Sequence, residues 1–434
     1  MARVAVVGGG LGGTATAARL AKLGHEVVLL ERRDRLGGAI GFLERDGYRW
    51  DTGPTSTALP AVLRDLFRKT GRPLERELEL VPVEPMREHR FEDGTTLALP
   101  SGSRAAQLEA IDDALGPGLG SRWLDYTHSF ADAWALLRRD VLERPYSPEH
   151  ADERTRDLLR SRRSLHRAVR RALSDRRLRQ LALTHALLDG HDPRSMPAWT
   201  GVMSYLEQNF GRWTVPGGMG TLAGVLEKRL AERKVEVRTG TTVRDITLHD
   251  GRAVGVDTDG GPVEADLVVC AVYPRRLPAL AGFVRRTMPA FPPVVSHLGL
   301  EGPVPAMPHE TVLHGEPTLV VRTDGGAGQP RHAWTVLARG RLSEDPVTAL
   351  ARRGVDVRDA LRVRVDRSPR DLVEEWGGSP YGVLWEGRAT LTHRLSTRTP
   401  VANVLCAGAH VNPGAGIPFV GLSAALVAEE VGRA

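Results

Sequence analysis

The 434-residue chain is poor in aromatic residues and almost devoid of lysine, and this scarcity bears on its partners. Aromatic residues make up 5% of the sequence, and only four of its 59 basic residues are lysine. Surfaces that bind nucleic acid interleave basic side chains with stacking aromatic rings. We therefore expect no nucleic-acid partner, although the formal net charge is +6 at pH 7.

Cysteine and long apolar runs are scarce as well. The two cysteines, Cys270 and Cys406, each lie inside an apolar run, which indicates reduced, buried side chains rather than a disulfide framework or a metal site. The histidines show no metal-ligand spacing, so no metal is expected. No run approaches the about 18 consecutive apolar residues of a membrane-spanning helix, and no charged-then-apolar leader precedes the first predicted strand. These absences favour a cytoplasmic protein.

The N-terminal segment carries a dinucleotide-binding pattern. A β-branched run, RVAVVG, is followed by GGGLGG, in which Gly8, Gly10 and Gly13 satisfy G-x-G-x-x-G. The first glycine allows a tight turn, the second lets the backbone approach a pyrophosphate, and the third lets the next helix pack on the sheet. Leu11 and Gly12 belong to this turn and are candidate cofactor-binding residues, and TATAARLAKLG follows as a helix whose N-terminal N–H groups and dipole attract phosphate.

An acidic residue completes this pattern at the end of a second predicted strand. The run HEVVLLE ends at Glu31, 23 positions after Gly8. A carboxylate there can accept hydrogen bonds from both hydroxyls of an adenosine ribose, and it disfavours a 2′-phosphate. Strand, helix, second strand and acid in this order predict dinucleotide binding.

The residues after Glu31 favour FAD over a nicotinamide cofactor. A Gly37–Gly38 pair, a short hairpin (FLERDGYRWD) and the turn TGPT stand where a nicotinamide dehydrogenase would continue into another helix and strand. This string resembles the flavin amine oxidase and phytoene desaturase superfamily, in which E-x(5)-GG-R and D-x-GP-T run beside the flavin. The residues that match are Glu31, Gly37, Gly38, Asp51, Gly53, Pro54 and Thr55.

Position 39 departs from that resemblance, because Ala39 stands where the superfamily usually carries arginine. The pyrophosphate then loses one charge-assisted contact, for which Arg32 or Arg35 can substitute.

Two later segments strengthen the resemblance. Residues 211–275 read as a Gly-rich turn, an amphipathic helix, a strand, a β-meander and a buried strand, and the resemblance implies that Val243 touches the adenine side. Near the C-terminus a strand leads to Gly408, a Gly/Pro turn holds Gly416 and Ile417, and a helix is predicted to start near Pro418. The N-terminus of that helix can stabilise negative charge on a reduced flavin.

The turn NPGAGIPFVGLSAAL is similar to that of the bacterial carotenoid desaturases, which carry G-A-x-x-H-P-G-x-G-I-P. Asn412 replaces the family's histidine, and His410 occupies a position that is usually small. His410 is a candidate catalytic residue that exchanges a proton beside the flavin, or a histidine that orients the turn. The stretch between His314 and Trp334 is also shorter than in the family, which predicts a remodelled substrate mouth.

Residues 154–179 contain eleven arginines against two aspartates, with leucine and valine recurring at helical spacing. This pattern predicts one basic amphipathic helix. Two interpretations stay open. The helix binds peripherally to an anionic lipid surface, which suits the lipid-soluble substrates of the resembled family, or it packs on its own domain with a solvated arginine face.

Four further side chains have two interpretations each. Tyr205 and Glu207 precede the Gly-rich turn and are expected at the surface or as caps rather than in a cavity. Trp213 and Trp385 line an apolar tunnel or belong to the ordinary core.

The sequence thus predicts an α/β flavoprotein with a discontinuous, Rossmann-like FAD-binding domain (residues 1–70, 211–275 and 395–434) and an α+β substrate domain (71–210 and 276–394). The resemblance implies an FAD-dependent oxidoreductase that desaturates C–C bonds of an apolar polyene and needs few catalytic side chains. The alternatives are a tailoring oxidoreductase of secondary metabolism, a flavin-dependent polyene isomerase, and a prenyl-binding escort similar to the Rab GDP-dissociation inhibitors.

Overall fold

A computed structural model describes residues 1–324 and 330–434. Part of the stretch between His314 and Trp334, predicted to be short, lies outside the described residues. The described strands, in chain order, are β1 Arg3–Val7, β2 Glu26–Leu30, β3 Phe42–Arg45, β4 Tyr48–Asp51, β5 Val81–Pro82, β6 Arg87–Arg90, β7 Thr96–Leu99, β8 Trp213–Thr214, β9 Glu236–Arg238, β10 Val243–His249, β11 Arg252–Thr258, β12 Gly261–Glu264, β13 Leu267–Cys270, β14 Val294–Glu301, β15 Glu310–Leu313, β16 Thr318–Arg322, β17 Arg331–Arg339, β18 Leu361–Arg367 and β19 Val404–Cys406.

Helices cover both ends of the chain and most of residues 104–232. They are α1 Leu11–Lys22, α2 Ala61–Thr70, α3 Arg104–Leu115, α4 Leu119–His128, α5 Ala131–Leu137, α6 Glu153–Arg160, α7 Leu165–Ala172, α8 Arg176–Leu188, α9 Val202–Phe210, α10 Thr221–Glu232, α11 Pro278–Ala281, α12 Pro346–Arg352, α13 Pro369–Trp376, α14 Thr390–His393 and α15 Ile417–Val431.

A parallel five-stranded sheet gathers strands from three distant parts of the chain, in the order β19-β13-β1-β2-β9. Val4 to Val7 of β1 are buried, because the strand has a neighbour on each side, helices packed on one face and strands β10 and β11 packed on the other. The pair Cys270 and Cys406 lies side by side where β13 meets β19, and both thiols are free and buried. The sheet has the Rossmann-like character that the sequence predicts.

A second, seven-stranded sheet has the order β18-β14-β17-β16-β15-β6-β7 and is antiparallel except between β15 and β6. The predicted meander is present as β10-β11-β12, and the predicted hairpin is present as β3-β4. The division of the chain into two domains at the boundaries given above stays a prediction.

The predicted single basic helix over residues 154–179 is wrong. The segment forms α6, α7 and the start of α8, because the backbone is extended at Ser161 and again at Leu173. Ser164 and Asp175 cap the N-termini of the second and third helices with their side chains, so each short helix begins anew. Within the described ranges of the chain, no helix is long and apolar enough to cross a membrane.

Candidate active site

The loop between β1 and α1 forms one wall of a cavity of about 570 Å³, here named the cofactor cavity. The backbone of Gly8 has φ +104°, and its N–H donates to the carbonyl of Leu30 at 2.8 Å. Gly10 faces open space, since a Cβ built there would meet only the α-carbon of Gly38, at 3.9 Å. Helix α1 begins directly behind, at Leu11, so its first N–H groups can reach a phosphate held at this wall.

Glu31 is fixed at one end of the cofactor cavity by backbone donors. Its Oε2 accepts a hydrogen bond from the N–H of Gly9 at 2.7 Å, and its Oε1 accepts one from the N–H of Arg33 at 2.9 Å. A carboxylate offers about four lone-pair sites, so two remain for the ribose hydroxyls. Val243 lines the same cavity, at the start of β10.

The C-terminal segment closes the opposite end. The N–H of Gly408 donates to the hydroxyl of Ser423 at 2.9 Å, which ties the end of β19 to α15. Gly416 has φ +101° and immediately precedes Ile417, the first residue of that helix. The helix therefore presents its N-terminus to the cofactor cavity, as predicted.

The structure brings most of the predicted site residues together and separates three of them. Thr55 and Pro418 line the neighbouring cavity described below, and Gly13 lines neither cavity because it packs on the loop. A Cβ at Gly13 would lie 1.8 Å from the carbonyl oxygen of Gly8. The predicted residues that line the cofactor cavity are Gly8, Gly10, Leu11, Gly12, Glu31, Arg32, Gly37, Gly38, Pro54, Val243, Gly408, His410, Gly416 and Ile417.

Arg32 and Ala39 both line the cofactor cavity, so Arg32 is near the position where the superfamily usually carries arginine. Its guanidinium, however, already donates hydrogen bonds to backbone carbonyls. Its Nη2 donates to the backbone carbonyl of Glu374 at 3.0 Å and to that of Glu375. The guanidinium of Arg32 therefore lies at the end of α13, and it forms no ion pair with a carboxylate in the described part of the chain.

His410 lies in the cofactor cavity and stacks on Tyr273, with ring centroids 4.5 Å apart. Burial lowers the pKa of His410 to about 3, with Arg394 adding to the effect, so the ring is neutral near pH 7. Its Nε2 has no hydrogen-bond partner among the described residues. His410 does not line the neighbouring cavity.

A second cavity of about 300 Å³, here named the substrate cavity, adjoins the first. Its wall is mostly apolar and includes Trp134, Trp199, Met203 and Trp385. Trp385 therefore lines a cavity, which agrees with one of its two interpretations, whereas Trp213 lines neither of these two cavities. The residues that line both cavities are Pro54, Trp376, Pro380, Gly416 and Ile417.

Buried ion pairs support the wall of the substrate cavity. Arg87 donates to Glu310 at 2.7 Å and to Glu207 at 3.3 Å. Arg212 donates to Glu207 at 2.9 Å, and Arg322 donates to Glu310 at 2.8 Å. Arg212 and Arg322 line the cavity, so the network holds two charged side chains at its surface while the glutamates neutralise them from behind.

The surface or capping role predicted for Glu207 is wrong. Its carboxylate is buried between Arg87 and Arg212. Burial alone would raise the pKa of Glu207, but the two guanidinium groups lower it to about 2. Because Arg212 also donates to the hydroxyl of Ser56 at 2.9 Å, and Arg322 to the carbonyl of Gly53 at 3.4 Å, the network positions the turn TGPT. Tyr205, in the same helix, is half-buried against the helical core.

Other polar residues of the substrate cavity that no sequence pattern singled out include Asp189, His185, His191 and Arg394. Burial raises the pKa of Asp189 to about 6, and it lowers the pKa of His185 to about 4 and that of His191 to about 3. Asp189 and His191 fall in DGHDP directly after α8, and this cluster of titratable residues after an apolar helix was the available signal.

No group of three or more histidine, cysteine, aspartate or glutamate side chains suited to a metal ion occurs in residues 1–324 or 330–434. The cofactor cavity instead fits a dinucleotide. It combines an open glycine cradle, a ribose-binding carboxylate and two helix N-termini along one continuous space.

Comparisons with known proteins agree with this geometry. Residues 11–432 match the family model for flavin containing amine oxidoreductases. The chain is 28% identical to a 4,4′-diapolycopene oxygenase of Methylomonas sp., over 99% of this chain and 98% of that protein. It is also 28% identical to a hydroxyneurosporene desaturase of Cereibacter sphaeroides, over 99% of this chain and 97% of that protein.

A solved structure shares the fold. Wild-type putrescine oxidase bound to putrescine superposes with a TM-score of 0.71 at 18% identity, over 99% of this chain and 98% of the other. The family match spans nearly the whole chain and includes both ends of the cofactor cavity. The chain therefore belongs to the family of flavin containing amine oxidoreductases and is an FAD-dependent oxidoreductase.

Proposed function

We propose that the protein desaturates C–C bonds of an apolar, isoprenoid-like polyene. The observation that carries this proposal is the junction of the two cavities, where Gly416 and Ile417 line both. A substrate lying in the second cavity would reach the cofactor at that junction, away from bulk water. The 4,4′-diapolycopene oxygenase and hydroxyneurosporene desaturase that resemble this chain support a polyene substrate.

The residues of the cofactor cavity would bind rather than react. Gly8 to Gly12 and the start of α1 would hold the pyrophosphate, Glu31 the ribose, and Val243 would contact the adenine side. The N-terminus of α15 would stabilise negative charge at the other end. When bound, FAD supplies an acceptor for hydride; the protein supplies placement and exclusion of water.

His410 would orient the cofactor turn rather than exchange a proton with the substrate. It stacks on Tyr273 and lines only the cofactor cavity. As a neutral imidazole it can still donate or accept one hydrogen bond through Nε2 to the bound cofactor.

A second candidate function is a tailoring oxidoreductase that acts on a more polar metabolite. Asp189, His191 and Arg394 favour it, because a hydrocarbon would leave these polar groups of the substrate cavity without partners. Both candidates keep the flavin and the same two cavities.

We also propose that the protein rests on an anionic membrane surface. The exposed arginines of α7 and the preceding loop include Arg162, Arg163, Arg170 and Arg171, none of which forms an ion pair with a described residue. An exposed aromatic side chain also supports the proposal: Phe291 is 61% exposed, and its backbone carbonyl accepts a hydrogen bond from Nη1 of Arg339, whose side chain lies near the cavity residue Asp189.

The experiment that tests the proposed function is turnover of the FAD-loaded protein with phytoene in detergent, followed by mass analysis. Each desaturation step removes two hydrogens from the substrate, so the product is lighter by two hydrogens per step. A product of unchanged mass but altered absorbance would indicate isomerisation, and an unchanged substrate with no effect on the flavin would contradict the proposal.

A further inference from the structure

Three arginines line the substrate cavity, and one of them differs from the other two. Arg212 pairs with Glu207, and Arg322 pairs with Glu310. Arg394 is 7% exposed and forms no ion pair with any described residue. A buried guanidinium that lacks an acid is costly to the fold, so such a residue points to an anion that arrives from outside.

The contacts of Arg394 leave part of its donor set free. Its Nη2 donates to the carbonyl of Val383 at 2.9 Å, and the guanidinium lies over the ring of Trp385, 4.6 Å from the centroid. Its Nε is buried without a partner. Burial, with no opposing carboxylate, lowers the pKa of Arg394 to about 10, so the group stays cationic near pH 7.

A second unpaired polar atom lies in the same cavity. His191 lines it, and its Nδ1 is buried with no partner among the described residues. Arg394 lines the same cavity as His191 and contributes to lowering its pKa. A neutral imidazole in the same cavity as a guanidinium can add one hydrogen bond to an oxygen anion that the arginine binds.

The position of Arg394 places such an anion near the cofactor. A Cβ built on Gly414 would lie 3.0 Å from Nη1 of Arg394. Gly414 belongs to the same turn as Gly416, which lines both cavities. The charged end of a ligand held by Arg394 would therefore lie beside the junction, with its apolar chain extending along Trp199, Met196 and Leu391.

We propose that the substrate is an apolar chain that carries a carboxylate, and that Arg394 and His191 bind this carboxylate. The inference rests on the proposed function in taking the second cavity as the place where substrate binds. A single guanidinium matches the charge and the planar shape of one carboxylate, whereas a phosphate dianion would need further cationic donors.

Paired ligands test this proposal without turnover. Retinoic acid and retinol share a polyene chain and differ in the head group, and each is titrated into the FAD-loaded protein while tryptophan fluorescence is recorded. We expect the acid to bind at least about tenfold more tightly than the alcohol. Equal affinities, or binding of neither ligand, would overturn the inference.

Variants identify the residue responsible. Arg394→Met should weaken binding of the acid by about tenfold to a hundredfold and leave binding of the alcohol unchanged. Arg394→Lys should retain part of the preference. Arg388→Met is the matched control, since Arg388 is exposed in the same segment, and it should behave as wild type.

The readouts separate this inference from the proposed function. A preference for the acid that survives Arg394→Met, in protein with normal FAD content, would overturn the assignment to Arg394. If the methionine variant does not fold, the comparison of acid with alcohol on the wild-type protein still decides the question. Failure to desaturate phytoene, with the preference for the acid intact, would count against the proposed hydrocarbon desaturation alone.

Discussion

Gly12 and Gly408 come from opposite ends of the chain and pack so closely that a Cβ on Gly12 would lie 2.9 Å from the α-carbon of Gly408. The start of α1 and the end of β19 meet at this contact, and both residues line the cofactor cavity. The cofactor site is therefore assembled from segments about 400 residues apart, and backbone contacts between glycines set its width.

This contact predicts that Gly12→Ala forces the two segments apart. We expect loss of retained FAD and a lower melting temperature, measured on the same purified sample. Gly224→Ala is the matched control, because Gly224 lies in α10 and a Cβ there would meet nothing within 4 Å. That control should be neutral or stabilised by about 0.5–1 kcal/mol. Equal behaviour of the two variants would show that the close approach is unimportant.

Glu31→Ala should weaken FAD binding while the protein remains folded. Removing the carboxylate takes away charge-assisted hydrogen bonds worth about 1.5–3 kcal/mol, or about tenfold to a hundredfold in affinity. Titration of the apoprotein with FAD measures the change. Glu26→Ala, at the exposed start of the same strand, is the control. An unchanged FAD affinity in Glu31→Ala would mean that the carboxylate does not contact the cofactor.

The buried histidines predict that the free energy of unfolding falls as the pH drops below about 6.5. Burial lowers the pKa of His297 to about 4, far below the value of about 6.5 for an unfolded chain. The folded state therefore binds fewer protons than the unfolded state between these two values, and the free energy of unfolding falls as the pH drops through this window. Urea unfolding at several pH values between 7 and 4 measures this slope.

A pair of variants isolates the contribution of one histidine. His297→Gln should reduce the pH dependence of the free energy of unfolding by up to about 1.4 kcal/mol per pH unit. His249→Gln should leave it unchanged, because the His249 side chain is 79% exposed. The same slope in both variants would contradict burial of His297 in its neutral form.

Exposed basic and exposed apolar side chains can each contribute to membrane binding, and separate variants distinguish the two contributions. We expect co-sedimentation with anionic vesicles, little with neutral ones, and release by salt. Replacing Arg162, Arg163, Arg170 and Arg171 with glutamine should abolish binding if the basic patch carries it. Phe283 and Phe291 are also exposed, by 48% and 61%, and replacing both with serine should abolish binding instead if apolar side chains carry it. Wild-type protein that ignores anionic vesicles at low salt would refute the proposal.

The sequence predicted the cofactor cavity better than the substrate cavity, for a physical reason. Gly8, Gly10 and Glu31 act through short-range backbone geometry, which a local pattern encodes directly. Glu207 and Arg87 are 120 positions apart, and their pairing depends on how α9 packs against β6. The lack of an acid partner for Arg394 is visible only in three dimensions, because ion pairs between distant segments leave no local pattern.

The prediction of a single basic helix over residues 154–179 was wrong for a local reason that is present in the sequence. Ser164 and Asp175 are good N-cap residues, and each begins a new helix within a run that has uniform helical periodicity. The helical spacing of the apolar residues predicted one long helix, because three short helices in succession can produce the same spacing. The cap residues Ser164 and Asp175 were the signal that distinguishes the two cases.

The most direct test of the account is anaerobic mixing of FAD-loaded protein with a polyene substrate while the visible flavin band is recorded. The junction of the two cavities at Gly416 and Ile417 predicts that the substrate reduces the flavin, so the band bleaches in parallel with loss of two hydrogens from the polyene. Admission of an oxidant should restore the band. A flavin that stays oxidised in the presence of both phytoene and retinoic acid would contradict the account.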